Sequence, residues 1–203
     1  MKKKIAAVCL IACLAIIAIS GAVLAYFTDN EKTENVFTVG NIDIALSETE
    51  WEAPEAAVPA IAYEKNPVVS NIGENAAWIK VDVTLSDAAA FMAAAQKHGI
   101  TDLSTIFTID EDFNERWTLA EIVQPEADND TLTYSYYYNL LLEKGENTGA
   151  LFNAVTIPKE FNNADMESIG DDFTITITAH GMQDAGFDNV QEAFSEYVFE
   201  AKQ

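Results

Sequence analysis

The chain has 203 residues, 33 of them acidic and 11 basic, for a formal net charge of −22. Such a balance disfavours nucleic acid and anionic lipid as partners and favours cations, protons or a basic surface. The length, with 49% hydrophobic residues, suffices for one domain with a real core and is short for two.

Lys2, Lys3 and Lys4 open the chain, and residues 5–25 form an uncharged apolar run. This is the pattern of an export signal. Val23, Leu24 and Ala25 offer the small or modest residues that a signal peptidase reads, so cleavage is expected between Ala25 and Tyr26. Removing 25 of 203 residues leaves 178, and the three lysines leave with them; eight basic residues then face 33 acidic ones, a formal charge of −25. The apolar run also reaches the ~20 residues that span a bilayer, so a retained anchor is the alternative; Ser20-Gly21-Ala22 favours cleavage. Cys9 and Cys13 both lie in the run, which leaves the mature chain without disulfide or thiolate metal site. Leu10-Ile11-Ala12-Cys13 is similar to a lipobox, but the sequence stays apolar past Cys13, where a lipoprotein turns polar.

Residues 26–48 form an N-terminal segment and first strand. Phe37 and Val39 share one parity and Ile42, Ile44 and Leu46 the other, so a bulge or bend is expected at Gly40-Asn41. Residues 48–59 read as a linker. Short edge strands are expected at residues 61–63 and 67–69, Pro67 belonging at a strand start or edge. Residues 77–85 alternate cleanly, with Ala77, Ile79, Val81, Val83 and Leu85 on the buried face. Ser86 is expected to cap a helix over residues 87–98, ended by Gly99, with Phe91, Met92 and Ala95 inward. His98 in its last turn complements the helix dipole.

A strand is expected at residues 106–110, another at 117–123, and a hairpin loop at 126–130. Asp110, Asp112, Asn114 and Glu121 fall at positions 1, 3, 5 and 12 of a calcium-loop template. Position 6, where the template wants glycine, is Glu115, so the match is partial and of a non-EF kind. Calcium is the sole cofactor the spacing suggests. Residues 131–142 read as the longest strand, with Leu132, Tyr134, Tyr136, Tyr138, Leu140 and Leu142 on one face. At period two an aromatic stripe is more often core than a glycan platform. A turn is expected at residues 144–148, a polar connection at 159–172, and a last strand at 173–180 with His180 on its threonine face. Asp188 is expected to cap a final helix carrying Val190, Phe194, Tyr197 and Val198, packed across an open end of the fold.

Many short strands between turn signals predict a mainly β protein, a β-sandwich of about eight strands with an inserted helix and a C-terminal helix. Residues 1–25 are the signal, 26–48 the N-terminal segment, and 49–203 the remainder of one domain.

Three stretches carry a family resemblance. Ala25-Tyr26-Phe27-Thr28-Asp29, then residues 35–44 (Asn-Val-Phe-Thr-Val-Gly-Asn-Ile-Asp-Ile), then Glu48 resemble the start of the TasA/camelysin family, exported proteins of Gram-positive bacteria. Residues 136–158 and the ending Ala179-His180-Gly181-Met182-Gln183 with Gly186-Phe187 resemble it further, the last in part. The resemblance implies a jelly-roll form of the sandwich and a secreted or cell-surface protein that polymerises into biofilm-matrix fibres. It also implies that the freed N-terminal segment completes the sheet of a neighbouring subunit, with Phe27, Phe37 and Val39 filling its pockets. The partners implied are further copies of the chain, other matrix proteins and, during export, a signal peptidase. Some family members carry a metallopeptidase label.

The residues themselves name no active site. A zinc peptidase needs about three protein ligands and a base. The mature chain has two histidines, His98 and His180, no cysteine and no H-E-x-x-H; G-x-S-x-G, the P-loop and the dinucleotide glycine pattern are absent. A non-enzymatic structural role is therefore expected. The alternatives are a surface metallopeptidase gathering His98, His180 and carboxylates at one metal, and a monomeric adhesin or carbohydrate-binding module with exposed tyrosines in a groove.

Overall fold

The computed structural model describes residues 42–48, 57–170, 173–184 and 186–195, and residues 40–203 form one compact unit. The first five strands are β1 (Ile44–Glu48), β2 (Ala62–Glu64), β3 (Pro67–Asn71), β4 (Ala77–Leu85) and β5 (Phe107–Thr108). The rest are β6 (Trp117–Val123), β7 (Leu132–Tyr138), β8 (Asn147–Ala150), β9 (Ala154–Thr156) and β10 (Ile175–Gln183). The α-helices are α1 (Ala88–Lys97), α2 (Phe113–Arg116), α3 (Asn163–Ile169) and α4 (Val190–Ser195).

β4 forms for the reason its sequence suggests. Its five apolar positions are buried and the four between them half-buried, the period of two that a pleated strand imposes. Each fully buried branched side chain on that face contributes about 1.5–3 kcal/mol. Around β4 the order is β10-β4-β7-β6, antiparallel throughout. Two three-stranded antiparallel sheets, β1-β3-β8 and β2-β9-β5, complete the β structure. Val69 of β3, Phe107 of β5 and Val155 of β9 join Val81, Val83, Tyr134 and Tyr136 in one core cluster. The protein is mainly β and its layers are those of a sandwich.

β1 also touches the four-stranded sheet. A Cβ added at Gly181 of β10 would lie 3.1 Å from Ile42 Cγ2 and 3.3 Å from Ile44 Cγ2. The missing side chain lets the two isoleucines settle on β10.

Several elements depart from expectation. Ten strands, not about eight, lie among the described residues. β3 is central rather than an edge: Pro67 occupies its first position, and β1 and β8 flank it. Ser86 does not cap α1. Asp87 takes a left-handed conformation at φ 46°, and the first amides turn instead to the distant Asp130, with Ala89 N donating to Asp130 Oδ1 at 2.7 Å. Ser86 Oγ instead accepts from Thr174 N. β5 is shorter than expected at both ends: Ile106 belongs to a 3-10 turn over residues 103–106, capped by Asp102, and the strand ends at Thr108. β7 stops at Tyr138, where Asn139 turns to hold Glu115 O and Arg116 O.

α3 replaces part of the expected polar connection. It is set by a capping box: Asn162 Oδ1 accepts from Ala164 N and Asp165 N, and Asp165 Oδ2 accepts from Asn162 N. α4 lies on the outer face of the four-stranded sheet rather than across an open end. Val190, Ala193 and Phe194 pack there on Trp78, Tyr137 and Met182, with Phe194 and Tyr137 stacked at 5.8 Å. Gly40-Asn41, Tyr197 and Val198 lie outside the described residues.

Candidate functional site

The two histidines bond different carboxylates. His98 follows α1, and its Nε2 lies 2.8 Å from Asp165 Oδ2. Lys97 Nζ reaches Asp165 Oδ1 at 3.1 Å. Asp165 is therefore shared between its own helix cap and the end of α1, and only 2% of its side chain is exposed. The His98 hydrogen bond, the Asn162 backbone and Lys97 together hold its carboxyl far below the usual carboxylate range. This is a pin between two helices.

His180 of β10 stands beside β4, its Nε2 2.9 Å from Asp82 Oδ2. The other oxygen, Oδ1, accepts from Ser135 Oγ at 2.6 Å and lies 3.2 Å from Lys80 Nζ. Burial pushes the Asp82 carboxyl up, but the hydrogen bonds of His180 and Ser135 and the Lys80 charge outweigh it, and its pKa falls below 3.8. Serine, aspartate and histidine thus meet on one sheet face, in the wrong order for a nucleophile. A catalytic serine is activated by a histidine bonded to it. Here the aspartate stands between them, and the Ser135 hydroxyl donates its hydrogen bond to the carboxylate.

Asp110 and Asp112, the first two members of the calcium pattern, do come together, on a cation of the chain. Arg116 Nη2 lies 3.2 Å from Asp110 Oδ2 and 3.0 Å from Asp112 Oδ1. Asn153 Nδ2 bonds the other Asp110 oxygen. Arg116 Nη1 donates to the carbonyls of Thr148 and Ala150 at 3.2 and 3.4 Å, joining the start of β6 to β8. Asn114 sits on α2, while Glu121 sits on β6 opposite Ser135.

The tyrosines of β7 do not line a groove. Tyr134, Tyr136 and Tyr138 are buried, against Phe107, Phe113 and Trp117 respectively. Tyr137 faces the other way, onto Phe194.

Sequence reasoning missed Asp82, Asp165 and Arg116 as organising residues. The Asn162-x-x-Asp165 box and the i,i+4 spacing of Asp112 and Arg116 were local signals; the contacts of Asp82 join distant positions. Ala25, Tyr26, Phe27, Phe37 and Val39 lie outside the described residues.

Residues 1–72 match the family model described as camelysin metallo-endopeptidase. The resemblance carried by the N-terminal motif is thus found in that family. Within the matched stretch the described elements are β1, β2 and β3. His98, His180 and their carboxylates lie beyond it, as do the tyrosine strand and the chain ending. No curated protein and no solved structure matches the chain. The family description implies a catalytic metal, which takes about three protein ligands. Among the described residues no group of three or more His, Cys, Asp or Glu could hold one. The donor set does not fit: each histidine Nε2 points at its own carboxylate, and the two pairs share no residue. Among the described residues no helix is long and apolar enough to cross a membrane.

Proposed function

We propose that the chain is an exported structural subunit that polymerises into extracellular matrix fibres, the N-terminal segment of one copy completing the sheet of the next. One observation carries this reading. The family match is confined to residues 1–72, the signal-like run, the strand-forming segment and β1–β3, while both histidines lie outside it. The stretch that matches the family is the N-terminal strand region. The polar satisfaction of the two histidine–carboxylate pairs supports a scaffold role for them. Cleavage before Tyr26 would free the segment carrying Phe27, Phe37 and Val39. The strong negative charge would oppose association until acid, salt or calcium reduces it. Calcium would act on the summed charge, since Asp110 and Asp112 of the Asp110–Asp112–Asn114–Glu121 spacing already bond Arg116. Other secreted matrix proteins are the further partners of this reading.

The test is electron microscopy of the exported protein at neutral and mildly acidic pH, with and without calcium. Ordered filaments are expected, and deletion of residues 26–39 should abolish them while leaving a folded domain. Filaments from the deleted protein would remove the strand-exchange reading. The family description favours a second reading, a surface metallopeptidase. Stoichiometric zinc together with caseinolytic activity lost on His98→Asn or His180→Asn would establish it.

A further inference from the structure

The margin of the four-stranded sheet at β6 is irregular. β6 is the outermost strand, and among the described residues no strand pairs with its outer side. A register shift between Leu119 and Glu121 sets Ala120 out of the ladder, with Leu119 opposite Tyr136 and Ile122 opposite Tyr134. Such a bulge twists an edge away from further strand pairing, one of the ways natural sheets blunt their margins. It also turns Leu119 and Ile122 to the core-facing side, because Tyr134 and Tyr136 are core residues. The facing layer covers the tyrosines and goes no further. Phe107 of β5 meets Tyr134 edge-on at 6.1 Å, and Phe113 of α2 meets Tyr136 edge-on at 5.9 Å. One strand out, Leu119 and Ile122 are 42% and 43% exposed, and Ile109, just beyond β5, is 49% exposed. The rim is thus apolar side chains on a blunted edge.

Charge is distributed unevenly around it. All six described lysine and arginine side chains are ion-paired within the chain, Arg116 with Asp110 and Asp112 among them. Glu111, Glu115, Glu121, Glu126 and Asp128 are exposed and take no share of those six cations. Glu111 and Glu115 precede β6, Glu121 lies on it, and Glu126 and Asp128 follow in the hairpin loop. Uncompensated carboxylates therefore bracket the rim at both ends.

We propose that the β6 rim docks a basic amphipathic helix of a second protein. The bulge selects a helix, which binds through side chains, over a strand, which needs a regular ladder. The apolar stripe of that helix covers Leu119, Ile122 and Ile109, and its lysines or arginines meet the carboxylates on either side. The seven residues of β6 run about 23 Å, which a helix of about 15 residues matches. The charge complementarity excludes this chain's own described helices as the occupant. α1 and α2 carry one basic residue each, Lys97 and Arg116, both already paired, and α3 and α4 carry none. One helix face buries a small area, so the contact is reversible and its encounter rate falls with salt. The inference does not depend on strand exchange between copies.

The test uses the full exported chain and a fluorescent synthetic peptide of about 15 residues, leucine along one helical stripe and lysine elsewhere. Anisotropy titration at low salt should give micromolar binding, and a peptide of the same composition with its stripe scrambled should bind about tenfold more weakly or worse. Ile122→Lys, and separately the triple variant Glu111→Gln, Glu115→Gln, Glu121→Gln, should each weaken binding about tenfold. The triple variant Glu64→Gln, Glu143→Gln, Glu167→Gln removes the same charge elsewhere and should change it less than about twofold. Circular dichroism of Ile122→Lys should match the parent, because Ile122 is already exposed; should it prove unfolded, Leu119→Thr serves the same purpose. Equal losses in the two triple variants, or equal binding of the scrambled peptide, would reduce the effect to net charge and overturn the site. No binding at low salt would overturn it too. A parent that is dimeric in solution and monomeric as Ile122→Lys would give the rim to a second copy instead. Filament formation is a separate readout, so each of these failures leaves the fibre reading standing.

Discussion

Lys65 Nζ lies 2.6 Å from Glu48 Oε1, and only 4% of the lysine side chain is exposed. The pair joins the last residue of β1 to the turn between β2 and β3, close to where Glu48 stands opposite Pro67. Removing one partner of a buried ion pair weakens the compensation of the other charge, at a cost of up to about 3–5 kcal/mol. Glu48→Ala should therefore lower the unfolding free energy by about 3 kcal/mol in urea titration. The double variant Glu48→Leu with Lys65→Met should lose clearly less, because neither charge then has to be held away from water. Equal losses in the two proteins would show that the pair lies in a wetter place than its burial implies.

Gly149 has a φ of +68°, and a Cβ there would run into Arg116 Nη1. Left-handed backbone costs a residue with a Cβ roughly 1–2 kcal/mol, before any guanidinium is displaced. Gly149→Ala should destabilise by about 2 kcal/mol or more and lower the melting temperature by several degrees. A loss under about 0.5 kcal/mol would mean that Arg116 moves aside freely.

Acid should act through Asp82 and Asp165. Both carboxyls sit below their ordinary value of 3.8 in the folded chain. Between the folded and ordinary values the unfolded chain binds more protons, so stability rises with pH across that interval. The contribution is fully present above about pH 5 and is lost as pH falls through the folded values. Denaturant midpoints measured from pH 6 to pH 2 should fall most steeply below pH 4. Asp165→Asn should flatten that limb as well as lower the plateau. A limb unchanged by both Asp165→Asn and Asp82→Asn would assign the acid sensitivity to other carboxylates.

Alkali should find two tyrosines resistant. Burial, with Asp102 nearby, pushes the Tyr134 hydroxyl up to about 12, and burial with Tyr134 and Asp102 drives Tyr136 higher still. The folded chain then holds protons that the unfolded chain releases from pH 10 upward, so their stabilisation is complete below pH 10 and fades as pH rises toward 12. Ultraviolet titration should show a group of tyrosines ionising near pH 10 and a later group that ionises together with unfolding. A single transition of all seven tyrosines near pH 10 would contradict the burial of β7.

The legible parts of this fold are those whose signal is local. Ala77 to Leu85 alternate without interruption, and β4 follows them residue for residue. The tyrosines of β7 read as core, and three of them are buried. The illegible parts depend on what distant segments bring. The amides at the start of α1 find Asp130, more than forty residues on, so the nearby Ser86 is a misleading cap. α3 was legible in Asn162 and Asp165, but its few apolar residues gave no helical stripe long enough to see against a polar background. The acidic spacing from Asp110 to Glu121 resembles a cation loop, and only the fold shows that Arg116, within the same stretch, turns back onto both Asp110 and Asp112. Neither His98 nor His180 announced its partner, since each lies 67 or 98 positions from the carboxylate it bonds.

Arg116 has a consequence for the edge of the sheet that ends at β8. β8 is an edge of its own sheet, yet two of its carbonyls, Thr148 and Ala150, are already engaged by that guanidinium. A passing backbone finds them occupied, so the β8 flank is muted as a place for strands to add. Natural sheets often blunt an exposed edge with a charged side chain, and here a guanidinium does so by holding the edge's own acceptors. One arginine thus fastens the loop before β6 and shields the margin of a different sheet.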